Sequence, residues 1–125
     1  MSTLRVNEYR AGESDERPWG RWTVLATGDG YAVKEIVVNP GEVLSLQSHE
    51  HRSEHWIVMN GVAEETVGDS ILEREANGTV FIPAGARHRI ANVGETEMRF
   101  IEVQTGDVLK ESDIQRYEDR YGRTG

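Results

Sequence analysis

The 125-residue chain carries 22 acidic against 14 basic residues, a net charge of −8, and no cysteine. That length suits one domain with its own core, and the basic residues are scattered rather than striped, so neither nucleic-acid phosphates nor an anionic membrane is an expected partner. Without cysteine there are no disulfides, thiolate zinc sites or thiol nucleophiles, and any metal must be held by nitrogen and oxygen ligands.

Residues 1–16 are polar with little periodicity and include Ala11-Gly12-Glu13-Ser14-Asp15-Glu16. They are expected as an N-terminal arm, disordered or laid on a neighbour, ahead of a single domain at 17–125. Met1 to Arg10 lacks the apolar core of a signal peptide, and no apolar run approaches the roughly 20 residues of a membrane span, so a soluble cytoplasmic protein is expected.

After Arg17-Pro18-Trp19-Gly20, the stretch Arg21 to Thr27 alternates towards a strand, turns at Gly28-Asp29-Gly30 and returns as Tyr31 to Val38. Val43 to His49 and Glu54 to Asn60 read as the next two strands, bounded by Gly41 and Gly61, and are predicted to form a hairpin. A two-residue turn at Arg52-Ser53 lacks the Gly or Asn that such turns need, so a four-residue loop from Glu50 to Ser53 fits better. In that register His49 lies opposite Glu54 and Gln47 opposite Trp56. Gln47, His49 and Glu54 then share one side of the sheet. His51 falls in the loop near them, and a tighter register leaves His49, His51 and Glu54 as the converging set.

The chain has four histidines. His49, His51 and His55 belong to this stretch, and His88 lies in another loaded one, Pro83-Ala84-Gly85-Ala86-Arg87-His88-Arg89-Ile90-Ala91-Asn92. Neutral imidazole is the commonest side-chain metal ligand, and burying such a cluster beside a carboxylate without a shared partner is costly. A metal site is therefore expected.

Val62 to Val67 and Ser70 to Glu75 flank Gly68-Asp69, and Thr79 to Ile82 follows Asn77-Gly78. Short strands at this spacing predict an antiparallel sandwich or barrel. Arg87 to Asn92 and Thr96 to Gln104 are predicted as a last hairpin around Val93-Gly94-Glu95. A three-residue loop there pairs His88 with Phe100 and puts Glu102 on its face, whereas a two-residue turn brings Arg99 there instead. Ser112-Asp113-Ile114-Gln115 has the capping-box order and predicts a short C-terminal helix from Ile114 to Tyr121. Because an open sandwich leaves edge strands that need cover, a homodimer is expected.

The first loaded stretch resembles cupin motif one: a glycine, a short strand, an H/Q-x-H element, a glutamate met by Glu54, and a glycine met by Gly61. The second resembles motif two, P-x-G-x-x-H-x-x-x-N, met by Pro83, Gly85, His88 and Asn92. Arg17-Pro18-Trp19-Gly20, Leu44-Ser45-Leu46-Gln47, His51-Arg52, Glu54-His55-Trp56-Ile57-Val58, His88-Arg89, Ile101-Glu102-Val103-Gln104 and Glu118-Asp119-Arg120-Tyr121-Gly122-Arg123 narrow the likeness. They are similar to the cupin unit of bacterial type II mannose-6-phosphate isomerases, over nearly all of Arg17 to Arg123.

The resemblance implies an all-β cupin double-stranded β-helix, or jelly-roll barrel. It also implies one divalent metal ion, usually zinc, on Gln47, His49, Glu54 and His88. The implied reaction interconverts mannose 6-phosphate and fructose 6-phosphate through an enediol, with a small sugar phosphate as the partner. Glu102 and His51 are the candidate bases, Glu102 ahead on the likeness alone, and Arg89, Arg52, Arg17 and Lys34 are the candidate phosphate cations. Trp56 is read as core. Such enzymes are usually fused to a GDP-mannose pyrophosphorylase, which has no counterpart here, so that activity is not expected. A non-catalytic sugar-binding cupin is the alternative, and a metal-dependent oxygenase is disfavoured by Gln47.

Overall fold

The computed structural model describes residues 5–122, and every regular element among them is a strand. In chain order these are β1 (Val6–Asn7), β2 (Ser14–Arg17), β3 (Gly20–Gly28), β4 (Tyr31–Val38), β5 (Leu46–Ser48), β6 (Arg52–Asn60), β7 (Ala63–Val67), β8 (Ser70–Arg74), β9 (Thr79–Ile82), β10 (His88–Asn92), β11 (Met98–Gly106), β12 (Val108–Leu109) and β13 (Gln115–Glu118). A six-stranded sheet in the order β2-β3-β4-β11-β6-β9 faces a five-stranded sheet in the order β13-β5-β10-β7-β8. This is a jelly-roll sandwich. Among the described residues, no helix is long and apolar enough to cross a membrane.

The tight hairpins form where their turn residues stand. β3 and β4 are joined at Asp29-Gly30, with Gly30 at φ 80°, and β7 and β8 at Gly68-Asp69, with Gly68 at φ 58°. Only glycine adopts such angles without strain.

Period-two alternation then decides which side chains enter the interior. β6 buries Arg52, Glu54, Trp56 and Val58; β10 buries His88, Ile90 and Asn92; β11 buries Met98, Phe100, Glu102 and Gln104. In the β6–β11 register Glu54 faces Gln104, Trp56 faces Glu102 and Val58 faces Phe100. The interior is therefore polar at one end and apolar at the other. At the apolar end Trp56 and Phe100 pack with ring centroids 5.4 Å apart, and each such side chain contributes roughly 1.5–3 kcal/mol. The polar end has to be held by partners of its own.

The strand pairing departs from the sequence expectation in both loaded stretches. β5 does not pair with β6: it pairs with β10 and β13, while β6 pairs with β11 and β9. The chain crosses from one sheet to the other at Glu50-His51, whose N–H groups each donate at 3.0 Å to the Asp113 carboxylate instead of closing a hairpin turn. Gly106 permits that crossing, because a Cβ there would sit 2.2 Å from the His51 carbonyl oxygen. β10 and β11 likewise lie in different sheets. Asn92 holds their corner, donating to Val38 O at 2.9 Å and to Thr96 O at 2.8 Å.

Both termini differ as well. The predicted helix from Ile114 to Tyr121 is absent, and β13 runs there instead against the edge of β5. A row of unpaired backbone groups along β5 outcompetes a local capping signal. Within the expected arm, residues 1–4 lie outside the described residues. The rest is built into the domain: β1 pairs with β12, β2 pairs with β3, and Tyr9 is 5% exposed within the core.

Candidate functional site

The polar end of the interior brings His49, Glu54 and His88 together, with one ligand atom of each within 4.8 Å of the others. His49 Nε2 lies 3.2 Å from Glu54 Oε2, and His88 Nε2 lies 3.8 Å from Glu54 Oε1. All three side chains are buried. Gln47 is the cross-strand partner of His88 and lines the same cavity. Its amide nitrogen donates to Ser45 O and Ser45 Oγ, which leaves the amide oxygen as the end open to a cation.

The tautomers follow from the outer partners. His49 Nδ1 meets the Asp113 carbonyl at 2.7 Å and His88 Nδ1 meets the Ala86 carbonyl at 3.0 Å. A carbonyl only accepts, so each Nδ1 carries the proton and each Nε2 presents its lone pair. Burial lowers the pKa of both imidazoles, that of His49 to about 4, so both are neutral near pH 7. Burial pushes the Glu54 carboxyl up, but the Arg52 guanidinium, joined by His49 and His88 once acid protonates them, outweighs it and holds it below the usual range. Two bare nitrogens and a carboxylate thus converge on one point, a donor set that fits a divalent cation with nitrogen and oxygen ligands.

In this structure the positive charge at that point is Arg52. Its Nε donates to Glu54 Oε2 at 2.9 Å and its terminal Nη2 lies 3.2 Å from His49 Nε2. The guanidinium is buried and also donates to Tyr9 Oη and to the Lys110 carbonyl. A second carboxyl, Glu102, stands beside the ligands. Trp56 Nε1 donates to Glu54 Oε1 at 2.9 Å and to Glu102 Oε1 at 3.2 Å, and Gln104 Nε2 donates to Glu102 Oε2 at 2.7 Å. Burial, and then the neighbouring Glu54 charge, push the Glu102 carboxyl up. One carboxylate held ionised beside one held towards neutrality is a pairing suited to proton transfer.

The remaining residues expected at the site divide. Arg17, Lys34 and Arg89 line the cavity with Gln47, His49, Arg52, Glu54, His88 and Glu102. Lys34 is buried against the rings of Trp22 and Tyr9, at 4.2 and 4.5 Å, and pairs with Glu111 at 2.6 Å. Arg17 is partly exposed and pairs with Asp15 at 3.0 Å. Arg89 leaves the strand away from His88, yet its guanidinium folds back onto Leu44 O and Glu118. His51 is not brought in: its side chain is 49% exposed and lies 3.7 Å from Glu50. β6 begins at Arg52, so alternation sends Arg52 inward and leaves His51 in the crossing loop.

Three contributors were not legible as such. Trp56 is buried as expected of core, but its indole N–H bridges the two carboxylates. Gln104 holds Glu102, and its place was implicit in the alternation Met98, Phe100, Glu102, Gln104. Asp113 was masked by the capping-box signal around it.

Comparison with known proteins fits this geometry. A family model described as mannose-6-phosphate isomerase C-terminal matches residues 5–119. The chain belongs to that family. A xanthan biosynthesis protein of Xanthomonas campestris is 50% identical over 108 residues, covering 86% of this chain and 23% of the relative. A mannose-1-phosphate guanylyltransferase of Escherichia coli is 44% identical over 117 residues, covering 94% of this chain and 24% of the relative. The chain thus spans about a quarter of the length of those curated relatives.

Among solved structures, Bacillus subtilis oxalate decarboxylase superposes with a TM-score of 0.72 at 20% identity, over 83% of this chain and 29% of that one. A double-stranded β-helix protein from Klebsiella pneumoniae superposes with a TM-score of 0.68 at 19% identity, over 90% and 85%. At such identities these likenesses show the fold, the cupin double-stranded β-helix, and nothing of the chemistry.

Proposed function

We propose that this domain is a metal-dependent aldose–ketose isomerase that interconverts mannose 6-phosphate and fructose 6-phosphate. The observation that carries the reading is the pair of Nε2 lone pairs, each fixed by a backbone carbonyl on Nδ1, facing Glu54 within reach of a second carboxyl, Glu102. Gln47, His49, Glu54 and His88 are the residues that would hold the ion, zinc being suited to this donor set. A divalent cation bound there supplies Lewis acidity, polarising the substrate's carbonyl and hydroxyl oxygens.

The chain's own residues then move the protons. The Glu102 carboxylate takes the C2 proton of the open-chain aldose, leaving a 1,2-enediolate, and returns it to C1 as the second oxygen becomes the ketone. The proton of the C2 hydroxyl passes to the C1 oxygen, so no atom is gained or lost. Burial raises the Glu102 carboxyl towards the range in which it both accepts and releases a proton near neutrality. Trp56 and Gln104 hold its two oxygens in place. Arg17 and Arg89, both only partly buried at the cavity, are the phosphate anchors in this reading, because guanidinium binds phosphate oxygens in bidentate fashion. Arg52 and Lys34 are buried in their pairs with Glu54 and Glu111, whereas Arg17 and Arg89 hold Asp15 and Glu118 in partly exposed pairs that a phosphate can replace.

A coupled assay for fructose 6-phosphate, run with and without a chelator, tests the proposal. Turnover that chelation abolishes and zinc restores supports it. Zinc-loaded protein that binds mannose 6-phosphate without converting it would turn the reading to a sugar-phosphate-binding cupin.

A further inference from the structure

The six consecutive residues 47–52 are each held by one later segment of the chain. Gln47 pairs with Arg116 and Ser48 with Gln115 across β5 and β13. The Ser48 hydroxyl also meets Tyr117 Oη at 2.9 Å. His49 Nδ1 donates to the Asp113 carbonyl at 2.7 Å, and the N–H groups of Glu50 and His51 donate at 3.0 Å to the two oxygens of the Asp113 carboxylate. Arg52 donates to the Lys110 carbonyl at 3.3 Å. Ile114 and Arg116 of the same segment line the cavity.

We propose that residues 110–117 are a latch that assembles the metal centre, with Asp113 as its positioning residue. Two independent groups of Asp113 act on one ligand. Its backbone carbonyl sets the tautomer and ring angle of His49, and its carboxylate fixes the two peptide groups that follow His49 where the chain leaves one sheet for the other. Outside a regular hairpin these N–H groups have no strand partner, so without Asp113 they turn to water and the loop carrying His49 loosens. Asp113 is 9% exposed, and each of its two carboxylate oxygens accepts from one of these N–H groups. The inference rests on the metal-centre reading for its consequence, but the clamp itself is a property of the metal-free chain.

The test uses the full chain in four forms: wild type, Asp113→Ala, Asp113→Asn and, as a control in the same segment, Gln115→Ala. Zinc affinity is measured by competition with a chromophoric chelator, and amide hydrogen exchange at Glu50 and His51 is followed without metal. Asp113→Ala is expected to weaken zinc binding by roughly 10–100-fold and to speed exchange at both amides. Asp113→Asn keeps one oxygen acceptor; it is expected to fall between, and it guards against an alanine variant that fails to fold. The Gln115 side chain is exposed and its pairing with Ser48 runs through the backbone, which alanine keeps, so Gln115→Ala should match wild type. Wild-type zinc affinity in Asp113→Ala, or weakened zinc binding with unchanged exchange at Glu50 and His51, would overturn the positioning role. A wild-type chain that binds no zinc overturns the metal-centre reading instead, while the exchange data still decide the clamp.

Discussion

The Arg52 guanidinium and the Glu54 carboxylate meet at 2.9 Å inside the polar end of the barrel, both side chains almost wholly buried. Arg52 also reaches His49 Nε2 at 3.2 Å, so it occupies the electrostatic place that a bound cation would share. Arg52→Ala leaves a buried carboxylate facing two lone pairs. A loss of about 3–5 kcal/mol is expected in metal-free protein. Added zinc should recover more stability in the variant than in wild type, because the ion then replaces the missing charge. Denaturant melts of both proteins with and without zinc measure the two differences, and equal recovery in both would refute the shared place.

Metal content should depend on the imidazoles more than on the amide. His49→Ala and His88→Ala each remove an anchored lone pair and are expected to purify with little bound metal. Gln47→Ala removes a weaker neutral oxygen and should retain metal at lower affinity. Elemental analysis of the three variants beside wild type decides this, and full occupancy in both histidine variants would remove the site.

Glu102→Gln is isosteric and keeps an acceptor for the Trp56 indole, so folding and metal content should be close to wild type. If Glu102 moves the proton, the turnover number should fall by roughly 10²–10⁴ with the Michaelis constant little changed. A variant with wild-type turnover would mean that another group is the base.

Glu65 gives a pH dependence away from the site. It is 0% exposed, neither of its carboxyl oxygens has a hydrogen-bond partner among the described residues, and burial pushes its carboxyl up to about 7. Between about pH 4.3, the ordinary glutamate value, and about pH 7 the folded chain holds a proton there that the unfolded chain has released. Stability contributed by this group is therefore full below that window, falls as pH rises through it, and stays low above it. Glu65→Gln cannot ionise. It should be more stable than wild type by roughly 1–3 kcal/mol at pH 8 and nearly equal at pH 4. Melts at the two pH values check the sign, and a difference that grows towards acid would contradict it.

By itself the sequence determined the local features: the β3–β4 and β7–β8 hairpins through Asp29-Gly30 and Gly68-Asp69, and the inward rows on β6, β10 and β11 through period-two alternation. Alternation put Glu54, His88 and Glu102 on inward rows of their own strands, and the expected hairpin put Gln47 and His49 on the face of Glu54. It was the likeness to the cupin motifs that joined His88 to that set, and the register of Glu102 stayed open. Which strands pair was decided by the tertiary structure. β5 and β6 were expected as a hairpin, and so were β10 and β11, yet each pair is split between sheets that face one another across the cavity. Side chains converge as well across a sandwich as along a hairpin, so the residue set survived a mistaken pairing. The helix expected after Ser112 became β13 for a related reason: a capping box is local, whereas the open edge of β5 is supplied by distant chain. His51 left the site and Gln104 joined it through the alternation of β6 and β11, but Asp113 and the Trp56–Glu102 bridge entered it through contacts between residues far apart in sequence. No local pattern encodes such contacts, and only the closed sandwich brings them together.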